Sequence, residues 1–193
     1  MADEISNNTF QNKISEFTKK NLKNLFFFSI VLILILFGYF FYQDLQKKNA
    51  IKLSEDYTKA SIQFKEKNID ISKKLMENII DKKHKFYSPL ALYFIIDKNL
   101  ELEATKVINL FDKIFSINSI EDENLNLIKI KKAIFLFDLK EEKLIIQTLN
   151  PIINSDSVWR TMAIELISDY FLSNNQKIKA NEFLQLLNNK NRK

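Results

Sequence analysis

His84 is the only imidazole in the 193-residue chain, and it stands inside the basic stretch Lys82-Lys83-His84-Lys85. As a general base or a metal ligand it would need partners, and the chain offers no second histidine and no cysteine. His84 therefore reads as a solvated helix end. The clustered carboxylates Glu121-Asp122-Glu123 and Glu141-Glu142 have the right side chains for acid–base work. Both clusters fall at predicted helix N-termini, where negative charge complements the helix dipole. With Gly38 the only glycine, no glycine-rich phosphate loop can form. Zero cysteines exclude disulfides, lipoprotein acylation, thiolate metal sites and thiol catalysis. Trp159 lies in an apolar helical stretch and reads as core. Tyr57, Tyr87, Tyr93 and Tyr170 have the chemistry to line a peptide groove, although a core or rim position is the simpler account of each. No catalytic, cofactor-binding or metal-binding residue is assigned, and the chain reads as non-enzymatic.

Binding remains, and the elements that would position a binding surface begin with an apolar run. Residues 25–42, LFFFSIVLILILFGYFFY, form the one long hydrophobic block, and no charge occurs between Lys23 and Asp44. About 20 apolar residues rising 1.5 Å each cover a hydrocarbon core of ~30 Å. The run is longer than the apolar region of a cleaved signal, and its bulky exit at Tyr39, Phe40, Phe41 and Tyr42 offers no small-residue cleavage site. It reads as an uncleaved transmembrane anchor in the lipid bilayer, with Leu25, Phe26, Ile30, Leu34, Gly38, Phe41 and Tyr42 as membrane-embedded positions. Gly38 has no small partner four residues away and makes no dimerisation motif. This divides the chain into a tail (1–24), a transmembrane helix (25–42) and a domain (43–193). Phe10, Ile14 and Phe17 give the tail a weak amphipathic stripe. Charge leaves the orientation open: Lys13, Lys19, Lys20 and Lys23 precede the run, and Lys47, Lys48 and Lys52 follow it.

The net charge of +5 is scattered among acids, with no basic block interleaved with aromatics, so nucleic-acid binding has no support. One glycine and two prolines disfavour extensive β structure. The periodicity predicts helices over 44–67, 71–83, 87–98, 100–116, 122–139, 141–153, 155–172 and 176–188. Ser88-Pro89 is the expected start of the third, and Ser155 or Asp156 the expected cap of the seventh. Asn68 is the expected stop of the first. The eight helices group as four pairs. Asn99 and Asn175 each close a helix five residues before an alanine, Ala104 and Ala180. These anchors stand 76 residues apart, two units of 38, with a break near Lys140 between them. With Ala60 and Ala163, these alanines are the expected positions of close helix packing, while Leu144 takes the small position of the third unit. The fold class is all-α, a transmembrane helix followed by a short tetratricopeptide-like solenoid of about four helix pairs. A non-repetitive helical bundle is the alternative.

Three stretches in this order, AIKLSEDYTKASIQFKEKNID at 50–70, YSPLALYFIIDKNLELEA at 87–104 and VWRTMAIELISDYF at 158–171, resemble the ancillary Sec translocon subunit family. These are bacterial inner-membrane proteins with a periplasmic tetratricopeptide-like domain. The departures are Asn99 and Asn175 at junctions where the family favours glycine or alanine, and Leu144. The resemblance implies a cytoplasmic N-terminus, a periplasmic domain and a binding role. The partners it implies are the Sec translocon with periplasmic chaperones or exported proteins. The competing readings are an envelope-assembly or cell-division adaptor of the same architecture and, from a different class, a membrane-bound enzyme regulator or structural oligomer built through the anchor and first helix. None of these readings requires a cofactor.

Overall fold

The computed structural model describes the backbone of residues 2–188 and the side chains of 20–187 except Leu25. Phe10, Ile14 and Phe17 therefore lie outside the described side chains. Eight α-helices and no strand occur among the described residues: α1 (Ala2–Lys65), α2 (Ile69–Asp81), α3 (Tyr87–Asp97), α4 (Ala104–Phe115), α5 (Asp122–Asp138), α6 (Glu142–Ile153), α7 (Arg160–Ser173) and α8 (Lys177–Asn188). The chain divides into two compact units, Met1–Lys52 and Leu53–Lys193.

In the first unit, one helical stretch is long and apolar enough to cross a membrane, and none of its most apolar window is buried. Phe26, Ile30, Leu34, Phe41 and Tyr42 are all exposed. A buried core helix would show the opposite. A Cβ added at Gly38 would meet nothing within 4 Å. The run closes in polar pairs one turn apart: Gln43 donates to the Tyr39 hydroxyl at 2.7 Å and Gln46 to the Tyr42 hydroxyl at 3.0 Å.

The second unit begins at Leu53 and packs the end of α1 with α2–α8. Its tight turns share a device. Lys67, Asn99, Lys140 and Asn175 adopt left-handed backbone, φ 66°, 50°, 56° and 60°. At each, the residue's own amide and the next one fold back on the helix just ended. At Asn99, for example, the Asn99 N–H donates to Ile96 O at 3.1 Å and the Leu100 N–H to Ile95 O at 2.9 Å. This satisfies carbonyls that a helix end otherwise leaves bare. The four residues lie between α1 and α2, α3 and α4, α5 and α6, and α7 and α8. Asn99 and Asn175 tolerate this conformation through local hydrogen bonding, whereas lysine has no such compensation. Lys140→Gly is therefore expected to raise stability by about 0.5–1 kcal/mol, read as a higher urea midpoint at unchanged m-value.

The same register orders the packing. Seven residues before each of these four stand Ala60, Leu92, Ala133 and Ser168, and all four are buried. Five residues after it stand Ser72, Ala104, Ile145 and Ala180. At least one member of every such couple is small. At the first couple the buried Ser72 hydroxyl donates to the Ala60 carbonyl at 2.8 Å, so a side chain on α2 meets the backbone of α1 directly. Ala60→Leu would force these helices apart, with an expected loss of about 2–3 kcal/mol measured by urea unfolding. Ala163 is also fully buried, on α7. Ala104 is only half-buried, because it opens α4 rather than standing inside it.

At three predicted helix starts the structure differs in boundary or in cap. Residues 100–103 are not helical: Leu100 is buried and Glu101 accepts the Glu103 N–H at 2.9 Å and the Lys73 ammonium at 2.6 Å. These bonds pin an extended link to α2. Ser88 does not cap α3. The turn after α2 has its left-handed residue at Lys83, and Ser88 completes that turn by accepting the His84 N–H at 2.9 Å and donating to Ile79 O at 2.8 Å. Neither Ser155 nor Asp156 caps α7, which starts at Arg160. Ser155 accepts the Ser157 N–H, and Ser157 in turn accepts the Trp159 N–H at 3.2 Å.

Two apolar clusters fill this unit. One gathers residues from Leu53 to Ile128, with Phe111 its largest fully buried side chain. The other runs from Ile130 to Ala180 around Phe171. Helix α5 serves both, Ile128 on one side and Ile130 on the other, which explains why its apolar residues circle the helix instead of forming one stripe.

Candidate protein-docking cleft

The turn between α2 and α3 shapes one edge of an open cleft. His84 is not a solvated helix end: it is half-buried, and its Nδ1 accepts the Phe86 and Tyr87 N–H groups at 3.2 Å each. This imidazole supplies the start of α3 that Ser88 does not. Burial, then the Lys85 charge, holds the His84 pKa below its ordinary value. The unfolded chain therefore takes up a proton at a higher pH than the native one. The contribution is complete above the unfolded value near 6.5 and shrinks as pH falls through it toward the folded pKa. Between pH 7 and pH 5 the fall in melting temperature is expected to be shallower in His84→Gln than in the native chain.

Beyond this turn, α3 presents Pro89, Leu90 and Tyr93, and α5 faces them with Leu127 and Ile128. The cleft between the two helices has a volume of about 170 Å³. Pro89, Ile120 and Ile128 are its buried floor, Leu90, Tyr93 and Leu127 its half-buried walls. Phe86 at the edge is 60% exposed. Lys85 also borders the cleft, and no carboxylate does. Lys131, one turn beyond Leu127, places its ammonium 4.5 Å from the Tyr93 ring centre. Burial pushes the Tyr93 phenol up to about 12, so it stays a neutral hydroxyl at any physiological pH.

The other sequence candidates take separate places. Tyr57 sits edge-on to Phe94 at 5.8 Å between ring centres, and Tyr87 lies against His84 and Phe86. Tyr170 is in the core, edge-on to Phe137, with its hydroxyl donating to Lys140 O at 3.3 Å. Trp159 is half-buried beside the second cluster. Of the four tyrosines, only Tyr93 lines the cleft. The acids stand at helix N-termini: Asp122 and Glu123 in the first turn of α5, Glu142 in that of α6. Glu142 also accepts from Lys179 at 2.8 Å and Gln176 at 3.2 Å, and the Lys179 bond above all holds its pKa below the usual range. Glu123 accepts the Ser157 hydroxyl at 2.7 Å beside a polar depression of about 430 Å³. No group of three or more potential metal ligands occurs among the described residues.

Phe86, Leu90 and Leu127 escape sequence reasoning. Almost every position of α3 is apolar, so its pattern does not tell a covered face from an open one. Comparison of the chain with protein-family models, curated proteins and solved structures finds no match.

Proposed function

We propose that this protein is a membrane-anchored, non-catalytic scaffold whose helical domain is a short solenoid of four helix pairs and binds other proteins. The observation that carries the reading is the recurrence of one turn device at residues 67, 99, 140 and 175. A small residue on at least one side of the positions flanking each turn accompanies it. Stacked helix-pair repeats are built this way: each pair buries its apolar face against the next, and the stack offers an extended surface to partners. Contacts between next-but-one helices support stacking. Phe94 of α3 meets Tyr57 and Phe64 of α1, Lys113 of α4 pairs with Asp81 of α2 at 2.6 Å, and Lys179 of α8 pairs with Glu142 of α6.

The exposed apolar stretch within residues 25–42 is the membrane anchor in this reading. Tethering confines the domain to the bilayer surface and raises its effective concentration for partners held there, so weak contacts suffice. The resemblance to the ancillary Sec translocon subunits supplies the topology, with the N-terminus cytoplasmic and the domain periplasmic in the bacterial inner membrane. It also supplies the partners: the translocon, periplasmic chaperones or exported chains. Affinity purification from gently solubilised native membranes tests this. Recovery of translocon subunits is expected. Recovery of cell-wall synthesis or division proteins alone would replace the secretion role with that of an envelope-assembly adaptor.

A further inference from the structure

We infer that the cleft between α3 and α5 takes a short segment of a partner protein in which a large apolar side chain is flanked by carboxylates. The inference rests on the scaffold reading and names the chemistry of its ligand. Two features argue for it. The first is shape and polarity: a floor of Pro89, Ile120 and Ile128 under half-buried Leu90 and Leu127 admits one bulky apolar side chain. Phe86 at the edge is a large ring left 60% in water, the kind of residue that covers an anchor once it is seated.

The second is charge. Lys82, Lys83 and Lys85 are exposed, and neither they nor Lys131 form an ion pair with any described residue. Other lysines of this domain, at 73, 106, 113, 132 and 179, do have carboxylate partners within 4 Å. Further lysines of the domain, among them Lys59, Lys74 and Lys98, also have no carboxylate within 4 Å among the described residues, so what sets the cleft apart is placement: Lys85 lies on its border, where no acid does, and Lys131 stands over the Tyr93 ring of its wall. A segment bearing aspartate or glutamate on either side of its anchor satisfies both features. A basic segment would meet repulsion at the same place.

The test uses the full chain in phosphatidylcholine nanodiscs and a fluorescein-labelled synthetic peptide, Gly-Asp-Glu-Leu-Phe-Glu-Asp-Gly, followed by anisotropy. Two further peptides replace the acids by lysine or the Leu-Phe pair by Ser-Ser. The acidic-apolar peptide is expected to bind about tenfold or more tightly than either. Lys85→Glu, a change at an exposed residue, is expected to weaken it about fivefold and to reduce its salt dependence. Leu127→Asp should abolish binding, with helicity and melting temperature recorded beside it. A benzophenone amino acid at position 86 should capture the peptide. Equal binding of all three peptides, or indifference to Lys85→Glu, would overturn the inference. So would a position-86 probe that labels only lipid or only a second copy of the chain. Partner proteins captured elsewhere on the domain while the peptide fails would remove the cleft and leave the scaffold. Peptide binding without any translocon capture would keep the cleft and remove the secretion role.

Discussion

Leu34→Arg combined with Ile35→Arg is expected to release the protein from carbonate-washed membranes. Both positions lie inside the apolar run and both side chains are 65% exposed, with no protein contact to shelter a charge. Each arginine at the centre of a membrane helix costs about 3–4 kcal/mol relative to leucine or isoleucine. Together they oppose insertion by about 6–8 kcal/mol, roughly four to six powers of ten in the partition constant. Glu55→Arg with Thr58→Arg, exposed positions on the same helix but outside the run, should leave the protein in the pellet. A native chain that carbonate extracts, or a Leu34/Ile35 pair that stays membrane-bound, would mean that residues 25–42 serve another purpose.

The second large effect concerns the core. Phe171 is 1% exposed, stacked on Phe183 with ring centres 5.6 Å apart and edge-on to Tyr170. Lys179 places its ammonium 5.1 Å from the same ring. Phe171→Ala removes this hub of α7 and α8, with an expected cost of about 3–5 kcal/mol. For a domain of this size that lowers the melting temperature of the affected part by roughly 10–15 °C. Its distribution discriminates between architectures. In a stack of helix pairs each unit leans on its neighbours, so amide exchange should quicken in α7 and α8 while α2–α4, around Phe111, keep most of their protection. In a non-repetitive bundle with one cooperative core, protection would fall alike in both clusters.

Much of the helical framework can be read from the chain because apolar residues recur at helical spacing and breakers are scarce. The positions that defeat the reading are local hydrogen-bond choices. Ser88-Pro89 has the composition of a helix start, but the Ser88 hydroxyl closes the preceding turn instead, and His84 assumes the cap. Residues 100–103 carry a helical pattern, but the ion pair of Glu101 with Lys73 holds them extended. The recurring turn is half visible. Asn99 and Asn175 announce left-handed turns by residue type, whereas Lys67 and Lys140 adopt the same backbone without any such signal. Counting from Asn99 and Asn175 locates Ala104 and Ala180. Only the left-handed backbone at Lys67 and Lys140 places Ser72 and Ile145, not Leu144, in the same register. The cleft is the least legible part. It depends on which flank of α3 remains open, and a helix apolar on every side does not encode that.

Site-specific photo-crosslinking in native membranes tests the central claim most directly, with one probe in the anchor at Phe41 and others on the domain at Phe86 and Ile178, all exposed side chains. The account predicts capture of translocon subunits at the anchor and of chaperones or exported chains at the domain. Capture of cell-wall or division proteins alone, or of nothing but a second copy of this chain, would contradict it.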